Sequence, residues 1–162
     1  MNDLKELRGV SGWLAFFVLA LCALGPLMEF NRNFMDYQQI ESSNPQLLST
    51  AAWLSYKQYA WAVFAFTVLL RWAAGYALTN RFVWSSVRFT IAVGLSVPVV
   101  SGVGRYLAMS ATFGAQAAAD VAQTLGVQCV QGLVVMGIWS LYLLKSRRVR
   151  NTYPKAAVSF AS

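Results

Sequence analysis

Apolar residues in this chain do not alternate with polar ones; they occur in four long runs separated by polar segments. Each run has the length of about 20 mostly apolar residues that a helix needs to cross a bilayer. Backbone groups in hydrocarbon must pair within their own segment unless strands close into a barrel, and strand-like alternation is absent from the sequence. The pattern predicts transmembrane helices at about residues 13–30, 59–79, 89–109 and 125–144.

The first run has a second interpretation, because Lys5 and Arg8 precede it as in a cleaved signal peptide. No small-x-small cleavage site stands out, and the apolar run continues past the point where one would be expected. We therefore keep this run as a helix. The sequence predicts an all-α membrane protein, a bundle of four transmembrane helices in one domain over residues 1–162.

The composition agrees with a membrane protein, since 57% of the residues are hydrophobic and 12% are charged, where soluble domains have nearer a quarter charged residues. Thirteen Lys and Arg against six Asp and Glu give a net charge of +7. In a soluble protein this excess would suggest an acidic partner such as nucleic acid. In a membrane protein it usually records orientation, so the position of each charge is the relevant observation.

Basic residues are concentrated on one side of the predicted bilayer. The N-terminus, the second loop and the tail together carry nine: Lys5, Arg8, Arg81, Arg88, Lys145, Arg147, Arg148, Arg150 and Lys155. The other side carries three: Arg32, Lys57 and Arg105. The positive-inside rule therefore predicts that both termini are cytoplasmic.

The longest predicted connection, residues 31–58, then lies outside the cytoplasm. Its first half is polar, but the stretch from Pro45 resembles an amphipathic helix, with Asn44 or Ser43 as a cap. We expect the second helix to begin early, or a short interfacial helix to precede it. The third connection is rich in alanine and can continue the helices on either side.

Three segments carry a resemblance to known proteins: "RGVSGWLAFFVLAL" near the N-terminus, Gly25-Pro26, and the closing "WSLYLLKSRRVRNTY". Together they resemble a family of small bacterial inner-membrane proteins known only as a domain of unknown function, DUF2569. The likeness covers nearly the whole chain, and the tail is its most specific part. It implies a four-span bacterial membrane protein and supplies no catalytic residues.

The residue types argue against familiar site chemistry. The chain has no His, which excludes bis-His haem ligation, a His base and a His-based zinc site. Cys22 and Cys129 differ in predicted depth by about 7 Å, so a disulfide between them is not expected. We predict no catalytic residue, cofactor or metal, and interpret both cysteines as small apolar side chains.

Charges within the spans give the sharper hypothesis, because ionisable residues in a membrane usually face a bundle interior or a cavity. Glu29 and Arg105 have similar predicted depth, so they can pair or flank one polar pocket. The interpretation we prefer is that each reaches the headgroups separately, since both lie near a helix end. For Arg71, deeper in the second helix, we also prefer contact with the headgroups; the alternative is an interior partner or an anionic lipid.

The pocket hypothesis also includes Gln128 and Gln131, which share a face of the fourth helix. Gly94, Pro98 and Gly102 give the third helix a small-residue face and an expected kink. With Glu29 and Arg105 these residues can border a polar cavity open to the periplasm. Ordinary interhelical packing is the alternative that we prefer.

The basic tail, residues 145–162, follows the fourth span directly. Lys145, Arg147, Arg148 and Arg150 are expected to anchor it at anionic headgroups on the cytoplasmic face. Nucleic-acid binding is not expected, since no nucleic-acid fold accompanies the charge. Anchoring does not explain the order of the uncharged residues, so Thr152 and Tyr153 are a candidate docking segment.

These observations favour a non-enzymatic accessory, assembly or lipid- or protein-binding protein of the bacterial inner membrane. It could contact a membrane-protein partner or a second copy of itself. The alternative is a subunit of a small transporter or channel that uses the periplasm-facing pocket, although four spans without an inverted repeat would require an oligomer.

Overall fold

The computed structural model describes residues 9–154, which form helices almost throughout. Four helices are long and apolar enough to cross a membrane, and a short helix follows them. In chain order they are α1, Trp13–Ser43; α2, Ala51–Asn80; α3, Trp84–Phe113; α4, Ala115–Lys145; and α5, Arg147–Thr152. Each of the four predicted spans lies inside one long helix.

The polar connections are shorter than the sequence suggested. Helix α1 continues through the polar segment to Ser43, and Pro45–Ser49 forms a short 3-10 helix. Helix α2 then begins at Ala51, where the Thr50 hydroxyl accepts a hydrogen bond from the Trp53 N–H at 3.4 Å. The short helix and the early start of α2 that the sequence predicts are both present. Only Gly114, with φ of 91°, separates α3 from α4.

A π-helical turn, Ala20–Leu24, interrupts the α-helical geometry of α1. Pro26 has no N–H to donate to the carbonyl of Cys22 four residues earlier. The indole of Trp72 on α2 donates to that carbonyl instead, at 2.9 Å. The Gly25 N–H reaches back to the Ala20 carbonyl, as the wider turn requires. Pro26 therefore fixes both the irregular turn and a contact with α2.

The helices pack in chain order, which leaves one side of the bundle open. Helix α4 packs along α3, α3 along α2, and the π-helical turn of α1 against α2. In the part of the chain that the structure describes, α1 and α4 do not run side by side. They meet through side chains such as Phe17 and Trp139, whose ring centroids are 4.9 Å apart.

The contact between α3 and α4 depends on glycines. A Cβ on Gly94 would lie 2.0 Å from the terminal methyl carbon of Met136. A Cβ on Gly132 would lie 2.8 Å from the Pro98 ring. Helix α3 continues unbroken through Pro98, whose ring packs against the space left by Gly132. The predicted small-residue face is therefore where α4 approaches most closely.

Gly132→Ala is expected to lower the free energy of unfolding by about 1–3 kcal/mol, the usual effect of overpacking. The added methyl group meets a rigid proline ring, so a helix must shift. Gly94→Ala is expected to cost less, because the flexible end of Met136 can rotate away. Unfolding in mixed micelles measures both.

Gly137→Ala is the matched control, since nothing lies within 4 Å of an added Cβ there. Alanine favours a helix over glycine by about 1 kcal/mol, so this variant should be at least as stable as the wild type. Equal losses of stability at Gly132 and Gly137 would contradict the close contact.

Exposed charges distinguish the two ends of the bundle. At the basic end, where α2 and α4 finish, exposed residues include Arg81, Arg88, Lys145, Arg147 and Arg150. At the other end, called here the mixed-charge end, Glu41 accepts hydrogen bonds from Lys57 at 2.6 Å and from the Trp53 indole at 2.8 Å. Buried aromatic side chains pack beneath that ion pair.

The C-terminal segment folds back onto the basic end. Tyr153 is 0% exposed, and its hydroxyl donates to the Leu78 carbonyl at 2.5 Å. Thr152 accepts a hydrogen bond from the Gly9 N–H at 3.1 Å, and Arg148 donates to the Ser11 hydroxyl. Burial raises the pKa of Tyr153 to about 12, so the phenol stays protonated at neutral pH and keeps its donor.

This arrangement changes the interpretation of the tail. Thr152 and Tyr153 are buried against the protein itself, so they present no free side chain to a docking partner. Lys145, Arg147 and Arg150 remain exposed, as a headgroup contact requires, and Arg148 is half-buried. Residues 155–162 of the predicted tail, and Lys5 and Arg8, lie outside the described residues.

Candidate functional site

A cavity of about 460 Å³ lies between α1, α3 and α4, on the open side of the bundle. Helix α2 contributes one lining residue, Arg71. The ionisable and amide side chains of the lining are Glu29, Arg32, Arg71, Arg105, Gln128 and Gln131. The four residues of the predicted polar pocket therefore line one space, together with Arg71.

Glu29 lies where three helices meet. One carboxylate oxygen accepts a hydrogen bond from Arg71 of α2 at 2.7 Å, in an ion pair whose side chains are 15% and 8% exposed. The other oxygen accepts from the Ser101 hydroxyl of α3 at 3.1 Å. The carboxylate thus links α1 to α2 and to α3.

Arg105 lies one helical turn beyond Ser101 and donates to the side-chain oxygen of Asn33, itself one turn beyond Glu29. The bonds Ser101 to Glu29 and Arg105 to Asn33 both join residues 72 apart in sequence. A constant offset is what two parallel helices produce, and α1 and α3 run in the same direction. Two side-chain hydrogen bonds, one helical turn apart, therefore link α1 to α3.

The pairing differs from the sequence-based hypotheses. Glu29 forms its ion pair with Arg71, and Arg105 bonds to Asn33, so the direct Glu29–Arg105 pair is not formed. Nor does Arg71 reach the headgroups alone, since its partner lies inside the bundle. Side chains lean towards the N-terminus of their helix. Because α1 and α2 are antiparallel, Glu29 and Arg71 lean towards each other.

Several polar groups, in the cavity and between it and the mixed-charge end, have no hydrogen-bond partner among the described residues. The Nη1 atom of Arg71 is buried without a hydrogen bond, as are the Asn33 side-chain nitrogen and the Tyr37 hydroxyl. The amides of Gln128 and Gln131 have no hydrogen bond within the described chain either. The cavity therefore offers unused donors.

Polarity changes along the length of the cavity. On α1, Phe17 and Leu21 lie nearer the basic end, whereas Glu29 and Arg32 lie towards the mixed-charge end. The antiparallel α4 repeats this order, because Trp139 lies nearer the basic end than Gln128 and Gln131 do. Contact between Phe17 and Trp139 narrows the apolar end. The cavity is therefore polar towards the mixed-charge end and apolar towards the basic end.

Metal binding has no support in the described part of the chain. Residues 9–154 contain no group of three His, Cys, Asp or Glu side chains placed to hold a metal ion. Cys22 and Cys129 are both free thiols, as the depth argument predicts. The Cys22 thiol lies against Gly75, where an added Cβ would be 2.2 Å away, so it acts as a packing group.

Comparison with known proteins identifies the family. A family model described as a protein of unknown function (DUF2569) matches residues 7–154. The chain belongs to the DUF2569 family. This confirms the resemblance seen in the sequence, and the DUF2569 match covers the four long helices, the cavity and α5. No curated protein and no solved structure matches the chain.

Sequence reasoning missed Asn33 and Arg32 as neighbours of the polar cluster, and it placed Ser101 only on the small-residue face of the third helix. The sequence pattern places Asn33 in a connection, because the predicted first span ends near residue 30. A usable signal was present, since Pro26, Glu29, Asn33 and Tyr37 recur at helical spacing, and all four are buried. Extending α1 along that row would have placed Asn33 beside Glu29.

Proposed function

We propose that this DUF2569 protein is a non-enzymatic, multi-pass protein of the bacterial inner membrane that binds an amphiphilic molecule from the bilayer. The observation that carries the proposal is the cavity on the open side of the bundle, polar at one end and apolar at the other. Such a space suits a molecule with a polar head and a hydrocarbon chain. The proposed role is an accessory one in maintaining or assembling the envelope, in which the protein binds its ligand without catalysing a reaction.

The proposed orientation places both termini in the cytoplasm. In support, exposed basic residues of the α2–α3 connection, α3, α4 and α5 gather at the basic end, which the positive-inside rule assigns to the cytoplasm. Each can contribute about 1 kcal/mol of attraction to anionic headgroups. The mixed-charge end would then face the periplasm.

The polar groups of the cavity support binding over catalysis. Both oxygens of the Glu29 carboxylate are engaged, by Arg71 and by Ser101. Arginine cannot be deprotonated in proteins, so neither Arg71 nor Arg105 can serve as a base. A ligand can be held here by hydrogen bonds and charge without a proton transfer.

A pair of adjacent valines provides the test. Val135 lines the cavity and is 53% exposed, whereas Val134 is 57% exposed and lies outside the lining. Val135→Trp is expected to fill the opening and reduce co-purifying lipid at least five-fold, and Val134→Trp to leave it unchanged. Native mass spectrometry of protein released from lipid nanodiscs measures the bound lipid. Equal retention by both variants would refute the proposal.

A transporter or channel subunit is the second candidate. Its support is the unpartnered amides of Gln128 and Gln131, which can hydrogen-bond to a passing solute or to water. The Phe17–Trp139 contact at the apolar end argues against a continuous path. Solute flux in proteoliposomes that disappears with Val135→Trp would favour this candidate over lipid binding.

A further inference from the structure

We infer that the cavity takes an anionic lipid from the leaflet at the mixed-charge end, with the charged head at Arg105, Arg71 and Arg32 and one hydrocarbon chain directed towards Phe17 and Trp139. This inference rests on the proposed function and specifies the charge of the ligand and the leaflet that supplies it.

Charge is the first argument. Three arginines line the cavity against a single carboxylate, Glu29, which Arg71 already engages. Arg32 is exposed and has no hydrogen bond or ion pair within the described residues. Arg105, in contrast, is 7% exposed and its hydrogen bond goes to the neutral side chain of Asn33, and buried charge is costly unless it is paired. A bound anion would supply the missing partner, whereas a neutral or cationic head would not.

The second argument is the unpartnered donor of Arg71. Its Nη1 atom is buried without a hydrogen bond, beside Gly25, where an added Cβ would lie 3.8 Å from that atom. Both residues line the cavity. Arginine binds anionic oxygens strongly through parallel N–H donors. An anionic oxygen at this point would satisfy the free Nη1 while Nη2 stays on Glu29.

Depth is the third argument, and it selects the leaflet. Arg105 lies eight residues before the end of α3, or about 12 Å at 1.5 Å per residue. With a bilayer of about 40–45 Å and a hydrocarbon core of about 30 Å, each headgroup layer is about 5–7 Å thick, so that position is about 5–7 Å inside the core boundary. A headgroup from the same leaflet enters the core by that distance to reach Arg105, and the Arg71 side chain extends about a helical turn towards it. A headgroup from the opposite leaflet would have to cross most of the core to reach Arg105.

The apolar part accommodates a chain. Phe17 and Arg32, fifteen residues apart on α1, are separated by about 22 Å, more than the roughly 15 Å of half the hydrocarbon core. A volume of about 460 Å³ is at the lower part of the range for small-molecule sites. One hydrocarbon chain of the lipid would therefore fill the cavity and extend past the bilayer midplane. Any second hydrocarbon chain would stay in the bilayer.

The experiment compares lipids that differ in head charge and share their chains: phosphatidylglycerol, phosphatidylethanolamine and diacylglycerol. Binding to the full chain in detergent is measured by native mass spectrometry. Phosphatidylglycerol is expected to bind at least five-fold more tightly than either other lipid. Glycerol 3-phosphate, which has the anionic head without a chain, is expected not to compete.

Arg32→Gln should weaken phosphatidylglycerol about five-fold, the effect of one basic residue beside an anionic lipid, and leave phosphatidylethanolamine unchanged. Arg88→Gln is the matched control, because Arg88 is exposed at the basic end and lies outside the lining. Arg105→Lys should retain the preference for the anionic lipid, and Arg105→Gln should reduce it.

Each contrary result has a distinct meaning. If all three lipids bind equally and Val135→Trp abolishes that binding, the preference for an anionic lipid is wrong and the proposed function stands. Binding of none of them would overturn both. Full competition of glycerol 3-phosphate with phosphatidylglycerol would show a site for a small anion and would overturn the role of the hydrocarbon chain. Equal loss with Arg32→Gln and Arg88→Gln would show that surface charge, and not the cavity, sets the preference.

Discussion

Replacing Arg71 with glutamine is expected to lower the free energy of unfolding by about 3–5 kcal/mol, the usual result of removing one member of a buried ion pair. Glu29 would keep the Ser101 hydrogen bond but lose the cation at 2.7 Å. Its carboxylate would then be a buried charge next to hydrocarbon. Reversible unfolding in mixed micelles measures the loss.

The double variant Glu29→Gln, Arg71→Gln separates pairing from packing. Because it removes both charges together, it should recover most of the stability lost by either single change. Arg88→Gln, at an exposed position, should unfold like the wild type. If the double variant is as unstable as the sum of the two single variants, Glu29 and Arg71 are not coupled.

Tyr153→Ala is expected to destabilise the protein by about 3–5 kcal/mol, as for other fully buried aromatic side chains. The change removes a side chain that is 0% exposed and leaves the Leu78 carbonyl without its donor. Tyr153→Phe, which keeps the ring and loses only the hydroxyl, should cost about 1–3 kcal/mol, the penalty for leaving that acceptor unsatisfied. Unfolding in mixed micelles compares the two.

A topology reporter fused to the C-terminus completes this experiment. The basic residues that the positive-inside rule counts are unchanged in Tyr153→Ala, so the reporter should stay on the same side of the membrane. Tyr76→Ala, at a residue 63% exposed, is the control for loss of a tyrosine. Wild-type stability combined with loss of a binding partner would instead assign Tyr153 to docking.

Much of the fold could be predicted because the bilayer imposes a simple requirement on long apolar runs. All four spans could be found in this way, and Pro45, preceded by Asn44, marks the start of the short 3-10 helix as predicted. The sequence analysis did not identify Thr50 and Gly114 as the other helix boundaries. The ends of the helices were harder. Helix α1 carries polar residues to Ser43, and hydropathy alone cannot distinguish a polar helix from a polar connection.

Glu29, Arg105, Gln128 and Gln131 could be assigned to one polar site from the sequence, but Asn33, Arg32 and the pairing of these side chains could not. Depth calculated from Cα positions places Glu29 level with Arg105, and on that basis Arg71 is too deep to reach it. Side-chain direction decides the outcome, because Arg71 extends about a helical turn towards Glu29. The burial of Tyr153 was also beyond the sequence, since a tyrosine after a basic cluster is typical of an interface.

The π-helical turn determines which faces of α1 can be buried at once. An α-helix advances about 100° per residue. On a regular helix the buried row at Leu14, Phe17 and Leu21 would therefore point roughly 130° away from the buried row at Pro26, Glu29, Asn33 and Tyr37. The extra residue in the π-helical turn removes about 100° of that difference. The wider turn thus brings an apolar half and a polar half into phase, and the same residues wound as a regular α-helix would turn the whole polar row out towards lipid.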